Sequence, residues 1–407
     1  MKSWKPVLPP ELKKKAWNYI ENLASDLVPF EKMLREQPDF RVFTGGMGAS
    51  LFYRYLFLET GEKKYLKSSQ SLLNTASAAA GRIPSVDTLG AGITGAGWVA
   101  EHFRREKKIK WRPGQDPNHE LDDLLILKIR NAQKAGGALP KYGLLDDWIG
   151  YGVYGLERFP FGRSVELLEG LVMLFKERAR FLDEGVAWFT PKSGIPFWES
   201  KNHLHGYYNL GLAHGNAGIA RFLAGTLKAR VLPEITGPLL EGSLRWFQAH
   251  DSERHFGNML GALRKKSQRR KPRLAWCYGD LGMGSALLNA STVLGNKELE
   301  KWAMEVVRRS SKFLEPGAQN RVVDGYFCHG ATGNFHMFNR LYQQTGEKVL
   351  LKAALICAKQ AFRFFENKES EIQYNLFTGK TGAGLSLLAG VSKIEPAWDR
   401  ILLLSPL

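Results

Sequence analysis

Three cysteines in 407 residues are too few for a disulfide scaffold. They suit a reducing compartment, where a thiol is either a small buried apolar group or a metal or catalytic group. No apolar run reaches the roughly 18–20 residues of a membrane helix. The start, Met1-Lys2-Ser3-Trp4-Lys5-Pro6, has no apolar stretch behind its charges and is not a secretory signal. A soluble, cytoplasmic protein is expected. Acidic residues are the scarcer sign, 40 against 57 Lys plus Arg, a net charge of +17. That surplus raises the question of nucleic acid. No reader motif accompanies it, and the aromatic residues fall at helical core spacing rather than between basic ones, so nucleic acid is not expected as a partner. Strand-type alternation is nearly absent as well.

Glycine, by contrast, is plentiful and ordered, with 42 residues. Seven segments carry a G-x-x-G step followed by an apolar stretch at helical spacing. Their second glycines are Gly48, Gly95, Gly155, Gly218, Gly282, Gly333 and Gly382. A unit of this size holds two helices and two connections. Leu51, Tyr55 and Leu56, Trp98, Val99 and Phe103, and Leu385, Leu387 and Leu388 supply the apolar faces behind three of the steps. Longer amphipathic runs, residues 164–181 and 299–313, lie between steps. Glycine lets backbones approach closely at a crowded helix start. The pattern predicts an all-α fold, an α/α toroid of seven inner and seven outer helices. It would form a single domain over 1–407, with repeats from about residue 40 and an N-terminal outer helix within 1–39. The competing expectation is an open helical solenoid.

Aligning the repeats on their second glycine places Cys277 and Cys328 at one register position, five residues before Gly282 and Gly333. One residue on stand His214, Tyr278 and His329. In a ring these positions share a rim. Two thiolates and one imidazole are a zinc set that leaves the fourth tetrahedral position open for chemistry. Zinc deprotonates a bound thiol. With two thiolates already on the metal, a third sulfur stays nucleophilic, which favours thiol alkylation over hydrolysis. Without a metal, both residues would be small core thiols. Cys357, inside Ala353-Ala354-Leu355-Ile356-Cys357-Ala358, reads as core in either case. Arg273 could stabilise a developing enolate or be one more charge of a basic run. His214 could move a proton near neutral pH. Tyr278 could donate a hydrogen bond at the rim or simply pack there.

Three blocks, Asn209-Leu210-Gly211-Leu212-Ala213-His214-Gly215, Arg273-Leu274-Ala275-Trp276-Cys277-Tyr278-Gly279 and Cys328-His329-Gly330, together resemble the signature of the lanthipeptide cyclase family, LanC. The glycine repeats resemble that family's α/α toroid from about residue 40 onward. The resemblance implies zinc held by Cys277, Cys328 and His329, with His214, Arg273 and Tyr278 around the reacting centre. The implied reaction adds a peptide Cys thiolate to the β-carbon of dehydroalanine or dehydrobutyrine. Protonation at the α-carbon then closes a lanthionine or methyllanthionine thioether. The family places an aspartate four residues before the first glycine of the third repeat, where it orients the histidine. Counted from Gly152, that position is Trp148. Asp147 lies one residue further out, with Asp146 beside it. Either Asp147 reaches the site through a local shift or the role is empty; Asp147 is the expectation carried forward, against a plain turn or helix-cap carboxylate.

A chain in which the repeats begin near residue 40 resembles the free-standing cyclase of a two-enzyme pathway. Its expected partner is a dehydrated precursor peptide, leader plus core, prepared by a separate dehydratase and followed by an exporter. The alternatives are addition of glutathione or another small thiol to dehydroamino acids, and a non-catalytic zinc-stabilised peptide-binding adaptor. Trp188, Phe189, Pro191, Pro196, Phe197 and Trp198 suggest a loop over the rim, in contact with substrate or packed on the toroid. The charge surplus concentrates in residues 104–112, at +5, and 264–273, at +7. The second run leads into Cys277 and is a candidate attractor for an acidic stretch of the peptide.

Overall fold

The computed structural model describes residues 3–82, 86–106, 114–137, 141–195, 203–252, 255–262, 273–315, 320–367 and 373–406. Among them the fold is all-α, with two short β-ribbons. The chain packs as two compact units, one of residues 1–103 and 314–399, the other of 104–313 and 400–407. Among the described residues no helix is long and apolar enough to cross a membrane.

The first unit contains α1 (Pro10–Glu36), α2 (Gly46–Thr60), α3 (Lys63–Ala80), most of α4 (Ile93–Glu106), α12 (Ala331–Thr345), α13 (Lys348–Asn367) and α14 (Lys380–Val391). Two kinds of helix are distinguished by what they bury. α2, α12 and α14 each begin at a glycine step, and their first eleven or more residues are buried almost without a break. A helix apolar on every side must be surrounded. α1 and α3 bury one stripe each, Leu12, Ala16, Ile20, Leu23 and Leu27 in α1, and Ser69, Leu72, Ala76 and Ala79 in α3. The i, i+3, i+4 and i+7 spacing of these stripes is that of helices with one wet face. α1 covers α14, α3 covers α2, and α13 covers α12. Beneath α12, Asp399 accepts from His336 Nε2 at 2.7 Å and from Arg340 Nε at 2.7 Å, all three buried. Cys357 is fully buried on α13, and burial pushes its thiol pKa up, as its apolar sequence context predicts.

The second unit contains α5 (His119–Ala135), α6 (Trp148–Arg158), α7 (Ser164–Arg178), α8 (Asn216–Lys228), α9 (Pro233–Ala249), α10 (Asp280–Leu294) and α11 (Lys297–Ser311). α6, α8 and α10 are the step helices, and α7, α9 and α11 cover them. A hairpin joins β1 (Arg180–Leu182) to β2 (Gly185–Ala187), and an antiparallel ribbon pairs β3 (Tyr207–Asn209) with β4 (Met259–Gly261). Trp188 is fully buried. Its backbone N–H donates to Asn216 Oδ1 at 2.8 Å and its indole to the Phe175 carbonyl at 2.8 Å. Trp188 and Phe189 therefore pack into the unit, while Pro196, Phe197 and Trp198 lie outside the described residues.

One glycine step differs from the expected register. In six repeats the first glycine is the residue before the helix and the second is its third residue, as with Gly45 and Gly48 in α2. α6 instead starts at Trp148, with Asp147 before it and Gly150 third. The third step is thus Asp147-Trp148-Ile149-Gly150, not the Gly152 to Gly155 segment. Those two glycines lie inside α6 and serve packing. A Cβ on Gly152 would overlap the Phe222 ring of α8, and one on Gly155 would stand 2.8 Å from Leu167 of α7. Aspartate can replace the first glycine because it is itself a favoured residue ahead of a helix.

Candidate functional site

The residue just before each step helix's glycine or aspartate is placed by counting from the helix start. With the third step corrected, Thr44, Ala91, Asp146, His214, Tyr278, His329 and Thr378 occupy one register position. Asp146, not Asp147, shares it with His214 and Tyr278.

In the second unit the turns are tied edge to edge. Leu144 N–H donates to the Ala213 carbonyl at 2.8 Å, and Ala213 N–H to the Cys277 carbonyl at 3.5 Å. The residues ahead of α8 and α10 meet as a result. The His214 and Tyr278 rings stack, with centroids 5.2 Å apart and planes 25° apart. Burial pushes the His214 pKa down, since desolvation penalises the imidazolium, and the Asp146 carboxylate opposes that shift. Burial pushes the Asp147 carboxyl up. Its backbone carbonyl accepts from Gly150 at 3.0 Å, the role of a residue starting a helix.

Cys277 is 4% exposed and reduced. Its loop, from Arg273 to Gly279, folds back on itself so tightly that Gly279 adopts φ +95° and ψ 175°, a region essentially open to glycine alone. A Cβ there would overlap the Arg273 carbonyl. Arg273 is half-buried, and its Nε is buried without a hydrogen-bond partner among the described residues. A buried guanidinium nitrogen left unpaired is costly. It suits a residue whose acceptor arrives with a ligand. Residues 264–272 of the basic run lie outside the described residues.

One residue without a predicted role completes this half. Asn209, 6% exposed at the end of β3, accepts from Gly211 N–H at 3.0 Å and donates from Nδ2 to the Tyr278 hydroxyl at 3.1 Å. Tyr278 also packs against Ile195, Tyr207 and Met259. Asn209 opens one of the quoted blocks, but its partner is 69 residues away, and nothing local in the sequence pairs them.

In the first unit, Cys328 and His329 precede α12. The N–H groups of Phe327 and Cys328 both donate to the Phe377 carbonyl, at 2.9 and 2.8 Å. His329 Nε2 lies 3.4 Å from Asp324 Oδ2, and the other Asp324 oxygen accepts from Tyr326 N–H at 2.8 Å. The carboxylate is thus fixed beside one imidazole nitrogen, leaving Nδ1 for another partner. Cys328 is half-buried and reduced.

Cys277 belongs to one compact unit, and Cys328 and His329 to the other. Their donor types, two reduced thiols and an imidazole with a carboxylate at its second nitrogen, fit zinc. Among the described residues no group of three or more His, Cys, Asp or Glu is gathered closely enough to hold a metal ion.

A family profile described as "Lanthionine synthetase C-like protein" matches residues 37–403. Among solved structures, one titled "Nisin cyclase" superposes with a TM-score of 0.81. It covers 95% of this chain and 98% of its own, at 18% sequence identity. At that identity the likeness is one of fold.

Proposed function

The chain belongs to the lanthionine synthetase C-like family, and from that premise we propose that it is a zinc-dependent cyclase forming thioether rings in a dehydrated precursor peptide. The observation that carries the reading is the stacked His214–Tyr278 pair, with Asp146 acting on the histidine, tied by backbone hydrogen bonds to the loop that bears Cys277 and Arg273.

Zinc held by Cys277, Cys328 and His329 would keep a peptide cysteine in the thiolate form. The remaining work falls to this chain's own side chains. As sulfur bonds to the β-carbon, the double-bond electrons move toward the α-carbon and its carbonyl, and an enolate oxygen develops. Arg273, whose Nε is buried with no hydrogen-bond partner among the described residues, supplies positive charge to that oxygen. His214 delivers the proton that completes the α-carbon. Its depressed pKa makes the imidazolium a ready acid, and the charge of Asp146 opposes that depression. In this reading Asp146 takes the aspartate role expected of Asp147, a choice supported by its sharing the register position of His214 and by its charge opposing the shift of that histidine. Tyr278 holds the face of the imidazole and offers its hydroxyl to the substrate.

The peptide's dehydroamino acids require a separate dehydratase, and its export a separate transporter. A reducing cytoplasm would keep the three thiols free. Ring closure is an isomerisation, so the test counts thiols rather than mass. Zinc-loaded enzyme and a dehydrated precursor peptide are incubated, then alkylated, and the alkyl groups on the peptide are counted by mass spectrometry. Loss of alkylatable cysteines at unchanged peptide mass supports the proposal; a full complement of free thiols refutes it. The same spectra, taken with glutathione present, show whether adducts form instead.

A further inference from the structure

We propose that a cavity in the first unit, beside α1, holds the guanidinium side chain of an arginine in a bound peptide. That this peptide is the precursor substrate rests on the proposed cyclase reading; the cavity and its chemistry do not.

The cavity has a volume of about 380 Å³ and lies wholly within that unit. One face of α1, the last turn of α13, the first residue of α14 and residues 324–326 enclose it. Tyr19, Asn22, Leu23 and Asp26 line it together because i, i+3, i+4 and i+7 share one side of a helix. Two carboxylates, Asp26 and Asp324, face one ammonium, Lys380, which leaves one negative charge over.

Two oxygens there lack a donor. Lys380 Nζ donates to Asp26 Oδ2 at 2.7 Å, while Asp26 Oδ1 takes no hydrogen bond among the described residues. The Tyr19 hydroxyl is buried, also with no partner among the described residues. Burial pushes its pKa well up, so it stays a neutral phenol. A buried hydroxyl left unpaired is costly. Much of the remaining wall is aromatic. The Tyr19 and Phe365 rings lie 4.6 Å apart, and those of Phe365 and Tyr326 6.1 Å apart.

A cation with N–H donors satisfies the spare charge, the phenol oxygen and the ring faces at once. Guanidinium suits them better than ammonium, because it is flat, stacks on rings and is more weakly hydrated. The mouth is open to a side chain arriving from solvent. Asn22 is exposed, and the Asp26 and Lys380 side chains are 37% and 25% exposed. Asp324, in the cavity wall, stands 3.4 Å from His329, which puts this site next to a residue of the proposed reaction.

The probe is N-acetyl-arginine methylamide, whose only charge is the guanidinium, titrated onto the full chain and followed by ligand-observed NMR. Saturable binding with a Kd of about 1 mM or below is expected, a range that a ligand of this size reaches. N-acetyl-citrulline methylamide keeps the shape without the charge and should bind at least about 10-fold more weakly. N-acetyl-lysine methylamide should also bind more weakly than the arginine probe. Asp26→Asn should weaken the arginine probe about 10- to 100-fold and Tyr19→Phe about 2- to 10-fold, the ranges of charged and neutral hydrogen bonds. Tyr19→Phe deletes a hydroxyl without a partner, so its Tm should not fall, and it carries the test if Asp26→Asn folds poorly. No saturable binding to the wild-type chain, equal binding of the citrulline probe, or wild-type affinity in a folded variant overturns the inference. A lysine probe that binds as tightly overturns the choice of guanidinium. Turnover does not enter the measurement. Ring closure without probe binding refutes this site and leaves the cyclase reading standing; probe binding without ring closure does the reverse.

Discussion

Gly279→Ala, set against Gly295→Ala, tests whether the loop bearing Arg273, Cys277 and Tyr278 is held in shape by one backbone position. Both glycines have positive φ, +95° at Gly279 and +70° at Gly295. Gly295 ends α10 with nothing within 4 Å of an added Cβ, so alanine there meets only left-handed strain, about 1–2 kcal/mol. Gly279 lies in a region closed to other residues, a cost of about 1–3 kcal/mol. Its added methyl would also overlap the Arg273 carbonyl, which is backbone and has no rotamer to escape into. Overpacking of that kind adds about 1–3 kcal/mol. The expected loss is therefore about 2–6 kcal/mol at Gly279, read from urea midpoints at fixed m-value. The functional arm is sharper. Gly279→Ala must move Cys277 and Tyr278 relative to α10 and should abolish thiol loss in the peptide, whereas Gly295→Ala should retain it. Equal midpoints and equal turnover in the two variants would refute the reasoning.

Three further outcomes follow from the same geometry. Asp146→Asn removes the charge that opposes burial at His214, so the decline of kcat on the alkaline side should begin at lower pH, while Asp147→Asn should leave the profile in place; identical profiles for the two variants would return the acid's role to Asp147. Burial would raise the Asp399 carboxyl, but Arg340 and His336 outweigh it and hold the group well below the usual range, so its contribution is present above pH ~4 and lost below. Burial lowers His336, whose contribution is present above pH ~6.5 and fades as the pH falls below that value. Asp399→Asn, leaving Arg340 buried and underpaired, should cost about 3–5 kcal/mol at neutral pH and flatten the acid limb of a stability profile. Metal analysis of the purified chain should find about one zinc per molecule, lost in Cys277→Ala and Cys328→Ala and kept in Cys357→Ala.

Much of this protein is local and was therefore legible along the chain. Helical spacing behind each step, the one-sided stripes of α1 and α3, and the core setting of Cys357 all arise from neighbours within a turn or two. So does the shared register of His214, Tyr278 and His329, because a repeated turn places its residues by counting. The counting failed once, at the third repeat. Asp147 stands where a glycine was sought, and Gly152 and Gly155, present to admit Phe222 and Leu167, imitate the missing step. Allowing any favoured pre-helix residue at the first position would have found Asp147-Trp148-Ile149-Gly150 and, one residue earlier, Asp146.

What the sequence determined by itself was the helix count per repeat, the turn that starts each step helix, and the residue types at its mouth. Tertiary structure decided that the rings of His214 and Tyr278 stack, that Asn209 donates to Tyr278 across 69 residues, and that Arg273 Nε is buried with no hydrogen-bond partner among the described residues. The difference is physical. Backbone turns and amphipathic stripes are fixed by bonds between residues close in sequence. Hydrogen-bond direction and the balance of burial against charge depend on which turns pack side by side, and only the folded chain sets that.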